Sequence, residues 1–331
     1  MSDPFMPETV ASNGISLSVM KAGPAPRHAR AALVFLHGFP DLAYGWKHQI
    51  VHFAERGYAV IAPDLRGYGG SDKPLERDAY GIETIAADIT GLLDHYGIET
   101  AIVIGHDWGA LIGWSLPFLI PERLKAVANL NVPFIPRGTL PPSVLFRGAF
   151  GEKMYIVRFQ EEGPSEAVLE RDVERSMRFF LRRPKPGSNI GGGAFSTPDL
   201  DLIGWLEGPE EKWPGVPLLD ESALAIYVAA FKAGGFTAPL HYYRSMDANW
   251  QTMARFQPEG YPPEPLGLPA LMVTAGLDGV CPPRLADGME RFFSDYRRVD
   301  IPDSGHWTQQ EKPEVVNAAL GDWIEEHVLK R

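Results

Sequence analysis

The stretch Ala101-Ile102-Val103-Ile104-Gly105-His106-Asp107-Trp108-Gly109-Ala110-Leu111-Ile112-Gly113-Trp114 joins a β-branched apolar run to an apolar segment of helical character. A strand that turns this abruptly into a helix pushes the middle residue out of the turn. The glycines at 105 and 109 remove the side chains that would block so close a backbone approach. The projecting residue, Asp107, is a carboxylate. An ionised carboxylate can attack an electrophilic carbon directly, leaving an ester on the protein that must then be hydrolysed.

Working outward from this unit, short apolar runs alternate with longer helical patterns, as in a mostly parallel sheet flanked by helices. Strands are expected near residues 15–20, 32–36, 59–62, 101–105, 126–130, 270–275 and 297–301. Helices are expected over 46–55, 85–96, 108–118, 284–293 and 313–329. Between about residues 133 and 257 the alternation stops, and helix-like segments at 165–181, 221–233 and 241–256 are separated by loops rich in proline and glycine. So long a stretch is not a loop. It is expected to be a mainly helical lid, residues 134–257, inserted into a core domain made of 1–133 and 258–331. Its place would be above the carboxyl ends of the strands, where open α/β sheets build their sites. The glycine-rich piece 185–193 has neither a P-loop lysine nor a preceding strand, and it is expected to be a lid loop.

The chain has 331 residues with 45% apolar content, enough for a sizeable core. A net charge of -11 argues against a nucleic-acid partner, because phosphate binding needs clustered Lys and Arg. The short basic cluster from Arg178 to Lys185 is expected to be a solvated helix face. One cysteine, Cys281, excludes an internal disulfide and suits a reducing compartment. Met1-Ser2-Asp3-Pro4 has no basic and apolar leader pattern, and no apolar run reaches the ~20 residues that span a bilayer, so a cytoplasmic location is expected with no membrane partner. No His-Glu-x-x-His or clustered carboxylate motif asks for a metal, and no cofactor is expected.

An ester on Asp107 needs a base to activate water. His306, in Asp303-Ser304-Gly305-His306-Trp307, follows the last expected strand and therefore falls at the same sheet edge as Asp107. Asp278, just after the strand ending Val273-Thr274, is the candidate to orient it. Asp300 and Asp303 lie on the strand and loop of His306 itself and are expected to be structural or solvent-facing. Hydrolysis of the ester places negative charge on the carbonyl oxygen, so two backbone donors are needed. The amides of Trp108 and of Phe39, in His37-Gly38-Phe39-Pro40, are the candidates for this oxyanion hole, the latter in a loop that a cis proline would stiffen. His37 and His106 are expected to be hydrogen-bonded polar residues of packed turns, and Cys281 to be inert.

These segments resemble the epoxide hydrolases of the α/β-hydrolase superfamily. The matching motifs are His37-Gly38-Phe39-Pro40, the loop from Asp64 to Asp72, Gly105 to Gly109, and Tyr242-Tyr243-Arg244, so the resemblance runs from His37 to Trp307. With serine in its middle, the 105–109 frame is that superfamily's nucleophile elbow, and the chain order Asp107, Asp278, His306 is the order of its triads. The resemblance implies an α/β-hydrolase fold and an epoxide opened to a vicinal diol through an ester on Asp107. It also implies two lid tyrosines that hydrogen-bond the epoxide oxygen, carried here by Tyr155 and Tyr243, with Tyr242 competing for the second place. A phenol stays protonated at neutral pH and can donate to a developing alkoxide. The implied partners are a small epoxide and water, in a monomer or homodimer.

Two other readings compete. Haloalkane and haloacetate dehalogenases share the Asp and His but typically carry asparagine where this chain has Phe39 or arginine where it has Trp108. The Trp108 indole could itself donate to a halide. A catalytically silent ligand-binding protein on the same fold is the third possibility.

Overall fold

A computed structural model describes residues 6–197 and 199–330. The leading residues, where a leader pattern was sought, lie outside this range. The chain opens with β1 (Glu8–Ser12) and β2 (Ile15–Ala22), an antiparallel hairpin turned at Asn13 and Gly14, both at positive φ. There follow β3 (Ala32–Leu36), α1 (Lys47–Glu55), β4 (Ala59–Pro63), α2 (Ile82–His95), β5 (Ala101–His106), α3 (Trp108–Leu119) and β6 (Leu124–Leu130).

No strand is then added to the large sheet until residue 266. The intervening chain forms α4 (Pro142–Phe150), α5 (Tyr155–Arg158), α6 (Pro164–Arg171), α7 (Val173–Phe180), α8 (Leu202–Glu207), α9 (Glu221–Gly234), α10 (Thr237–Arg244) and α11 (Met246–Thr252). A two-residue antiparallel pair, β7 (Arg182–Arg183) and β8 (Val216–Pro217), ties two of its loops together. The chain finishes with β9 (Leu266–Ala275), β10 (Phe293–Ile301), α12 (Thr308–Glu311) and α13 (Pro313–Trp323).

The eight-stranded sheet has the order β1-β2-β4-β3-β5-β6-β9-β10, antiparallel at the β1 and β2 end and parallel from β4 onward. β5 is buried along its whole length because both faces are covered. Ala101 and Val103 pack with Ile85 and Ile89 of α2 and Ile112 of α3, whereas Ile102 and Ile104 pack with Ile50 and Phe53 of α1 and Leu320 of α13. From β3 the chain passes outward to β4, then returns across β3 to β5 and on to β6. The loops after β3 and β5 therefore leave in opposite directions and open a crevice at the strands' carboxyl ends.

Several helices differ from expectation. The segment 284–293 is two short 3₁₀ turns, Pro283–Ala286 and Met289–Phe292, interrupted by Gly288 in the left-handed region at φ 82°, and Phe293 already begins β10. The expected helix 165–181 is broken at Asp172, whose extended backbone ends α6 and whose carboxylate caps α7 through the Arg175 N–H at 3.0 Å. Residues 241–256 divide into the end of α10, α11 and a 3₁₀ turn. Past Trp323 the last helix widens into a π turn over Ile324–Leu329. The hairpin strand β1 was not anticipated. Nor is the basic cluster one solvated helix face: Arg182 is buried in β7, its guanidinium donating to the carbonyls of Pro214 and Gly215, each at 2.9 Å. Among the described residues no single helix is long and apolar enough to cross a membrane.

Candidate active site

Asp107 occupies the turn between β5 and α3 with φ 53° and ψ −119°, a conformation that costs a non-glycine residue on the order of 1–3 kcal/mol. The neighbouring glycines make it sterically possible. A Cβ on Gly109 would lie 2.0 Å from the Leu36 carbonyl oxygen of β3, and one on Gly38 would lie 2.2 Å from Asp107 Oδ1. Strand β3 and the β5–α3 turn are thus pressed backbone to backbone, which brings the loop after β3 onto the carboxylate.

That loop, with a cis Phe39–Pro40 peptide, aims the Phe39 N–H at Asp107 Oδ1, 2.7 Å away. The Trp108 amide, first in α3, is a second backbone group that favours the charged carboxylate. Burial nevertheless outweighs both amides and His306, and the carboxyl's pKa sits above the ordinary aspartate value. Oδ2 faces His306 Nε2 at 3.7 Å. Among the described residues Nε2 itself has no hydrogen-bond partner.

His306 Nδ1 donates to Asp278 Oδ2 at 2.9 Å, which fixes the tautomer that leaves Nε2 with its lone pair when the ring is neutral. Asp278 follows β9 and is buried. Its other acceptor sites are filled by Asn131 Nδ2 at 2.8 Å and by the N–H groups of Val280 and Cys281 at 3.0 and 3.1 Å. Burial would raise its pKa, but the His306 charge and these hydrogen bonds overcome that and hold it at about 2. Burial likewise opposes protonation of His306, yet Asp278 and Asp107 together raise its pKa above the usual histidine value.

Across from the carboxylate, the helices of the insertion present Tyr155 and Tyr243. Their rings meet edge to face at 5.8 Å, and Tyr243 also packs on Trp108 and Phe39 at 5.0 and 5.4 Å. Burial first and the Asp107 charge second raise both phenols well above their ordinary pKa, so both are protonated donors at neutral pH. Tyr242 points elsewhere: its hydroxyl donates to the Arg66 carbonyl at 3.0 Å, and its ring meets those of Tyr68 and Tyr80 at tilted and edge-on angles. An apolar cavity of about 420 Å³ is lined by Trp108, Leu111, Phe134, Met246 and Trp250, but not by Asp107, His306 or the two phenols. Phe159 packs on Phe39, Tyr155 and Tyr243, whereas Phe179 packs on Trp213, away from these residues.

His37 Nδ1 donates to the Gly38 carbonyl at 2.9 Å and Nε2 accepts from Leu65 at 3.0 Å. His106 Nε2 donates to the His306 carbonyl at 2.7 Å, and burial together with the His306 charge pushes its pKa down to about 3. Asp303 is exposed and paired with Lys312, and Asp300 with Thr274 and Arg298. Burial holds the Cys281 thiol well above its ordinary pKa, a poor state for a nucleophile. Among the described residues, no three His, Cys, Asp or Glu side chains are grouped to hold a metal ion.

Three residues of the site were not anticipated from sequence. Asn131, at φ 66°, bridges Asp278 and the Gly305 carbonyl at 3.1 Å. Glu311 accepts the N–H groups on both sides of His306, from Gly305 at 2.8 Å and Trp307 at 3.0 Å. Asp41 is fully buried beside the Phe39 loop and accepts from Leu42 N–H and Tyr227 O–H, each at 2.8 Å. An asparagine closing β6 was the only local signal for any of them; Glu311 and Asp41 resemble ordinary helix and turn residues.

A buried acid on a strand–helix turn, an amide from the loop after β3 and a histidine–aspartate pair after β10 and β9 define an α/β hydrolase with aspartate at its elbow. Accordingly, a family model described as the alpha/beta hydrolase fold matches residues 31–313. Epoxide hydrolase A of Mycobacterium tuberculosis is 39% identical over 320 residues, covering 95% of this chain and 96% of that protein. Bifunctional epoxide hydrolase 2 of Sus scrofa is 34% identical over 94% of this chain, which spans 54% of the length of that relative. The crystal structure of epoxide hydrolase A from Mycobacterium thermoresistibile is similar with a TM-score of 0.82 at 37% identity, over 97% of this chain and 98% of that one. The chain belongs to the epoxide hydrolases of the α/β-hydrolase-fold family.

Proposed function

We propose that this chain hydrolyses epoxides to vicinal diols through an alkyl ester on Asp107, with residues 134–257 acting as a lid that supplies the donors for ring opening. The arrangement that carries this reading is the Asp107 carboxylate held between a base on one side, with His306 Nε2 3.7 Å from Oδ2, and two protonated phenols on the other. Oδ1 is engaged by the Phe39 amide, so Oδ2, the oxygen facing His306, is assigned as the attacking one. It attacks an epoxide carbon from the face opposite the carbon–oxygen bond that breaks. Tyr155 and Tyr243 hydrogen-bond the departing oxygen, and a phenol proton neutralises the alkoxide.

Forming the ester removes the Asp107 charge. One of the interactions raising the His306 pKa then disappears, so the base becomes neutral more readily at the step that requires it. His306 Nε2 takes a proton from water, the hydroxide adds to the ester carbonyl carbon, and the charge that develops on Oδ1 rests on the Phe39 and Trp108 amides. Collapse of this intermediate expels the former Oδ2 with the diol, protonated by the His306 imidazolium; the water oxygen stays on Asp107, and the remaining water proton leaves the regenerated acid to restore the phenol. Asp278 keeps the imidazole oriented throughout. The apolar cavity beside Trp108 suits an epoxide with a hydrophobic substituent.

A single turnover of styrene oxide in oxygen-18 water tests this route. The first diol is expected unlabelled and Asp107 labelled; labelled diol from that turnover would mean direct attack by water and would overturn the ester mechanism. A halide-release assay with chloroalkanes, run alongside, is expected to give no turnover.

A further inference from the structure

Tyr155 opens the four-residue helix α5, and Tyr243 stands one residue from the end of α10. Neither element is long enough to fix the direction of its phenol alone. A set of polar side chains lashes the two together. The guanidinium of Arg244 donates through Nε to the Phe159 carbonyl at 2.9 Å and through Nη2 to the Glu161 carbonyl at 3.0 Å and the Glu166 carboxylate at 2.6 Å. Gln160 Nε2 donates to the carbonyl of Ile156, beside Tyr155, at 2.9 Å and to that of Tyr243 itself at 3.1 Å. At the other end of α10, the Phe236 N–H donates to Glu170 at 2.8 Å.

The Arg244–Glu166 pair is almost completely withdrawn from solvent, with side-chain exposures of 0% and 8%. Burying two charges costs several kcal/mol per ion, and apolar residues of equal volume would often serve stability as well. What an apolar pair cannot do is fix one register between two segments, since a planar guanidinium reaches its acceptors in only one arrangement. The register fixed here is the one between the two phenols.

We propose that Arg244 and Gln160 are positioning residues for ring opening, setting the separation and angle of the Tyr155 and Tyr243 hydroxyls. This rests on the assignment of those phenols as the donors to the epoxide oxygen. The base of ester hydrolysis is held separately, because Asp278, Asn131 and Glu311 fix His306 through bonds within the core that involve neither Arg244 nor Gln160.

The test uses Gln160→Met, which keeps size without the donor, and Arg244→Lys, which keeps charge without the planar fork. Single-turnover reactions with styrene oxide are quenched in acid, and the ester is followed by intact-protein mass. Ester formation is expected to slow on the order of 10- to 100-fold in each variant, the effect of misplacing a donor by about 1 Å, while ester decay stays within about twofold of wild type. Should Arg244→Lys fail to fold, Gln160→Met decides alone. Tyr243→Phe is measured beside them. If it leaves ester formation unchanged, the phenol assignment falls and this proposal with it. If Tyr243→Phe slows formation but Gln160→Met and Arg244→Lys do not, or slow formation and decay alike, the clasp proposal alone is overturned.

Discussion

Asp41 lies buried at the foot of the Phe39 loop, and its burial makes a quantitative demand on stability. Desolvation raises its pKa from 3.8 to about 7, the Leu42 amide, the Tyr227 hydroxyl and Lys47 offsetting only part of the cost and Asp107 adding to it. Below pH 3.8 the group is protonated in folded and unfolded chains alike and contributes no pH dependence. Between 3.8 and about 7 the unfolded chain ionises while the folded one keeps its proton, so stability falls as the pH rises; above about 7 the loss is complete. From 3.8 to about 7, at ~1.4 kcal/mol per pH unit, the loss amounts to ~4 kcal/mol.

Asp41→Asn cannot ionise, and its amide oxygen can still accept from Leu42 and Tyr227. The variant is therefore expected to match wild type near pH 3.5 and to exceed it by up to ~4 kcal/mol at pH 8, in urea unfolding curves recorded at several pH values. Comparing the two proteins at each pH cancels the other titrating groups. A difference that stays flat from pH 3.5 to 8, or a variant less stable at pH 8, would refute the reasoning and mean that the carboxylate's partners fully compensate its burial.

Two further outcomes follow from the site. His306→Gln removes the base but not the nucleophile, so one equivalent of styrene oxide should be trapped as a stable ester on Asp107, with steady-state turnover reduced on the order of 10²- to 10⁴-fold; absence of the mass increment together with unchanged turnover would contradict the assigned roles. Gly109→Ala places a methyl group 2.0 Å from the Leu36 carbonyl oxygen, and β3 and the first turn of α3 must part by roughly 1 Å to admit it. It is expected to lower the melting temperature and to cut turnover on the order of 10²-fold, and wild-type behaviour in both measurements would show that the elbow has slack.

The elbow was legible because its signal is local. A strand fully buried on both faces reads as an unbroken apolar run, and only glycine fits at 105 and 109. β3 was read with the bounds it has, Ala32–Leu36, for the same reason. Breaks in helices were less visible. Gly288 and Asp172 each end an element through one residue's backbone, which an apolar periodicity averages away. The residues that support the site were least legible, since their partners are remote in sequence: Asn131 meets Asp278, and Gln160 meets Tyr243, only after the chain has folded. Tyr155 and Tyr243 were placed by resemblance, as nothing in their local pattern separates them from packing aromatics.

The insertion between β6 and β9 divides the proposed chemistry between two separately encoded pieces of chain. The donors that would receive the ring oxygen are on the insertion, whereas the nucleophile Asp107 and the groups that would cleave the ester are on loops of the sheet. The donors can therefore change while the residues that orient the base stay as they are. A new insertion, with different donors facing Asp107, would change which leaving group is accepted while the elbow and the histidine continued to regenerate the free acid.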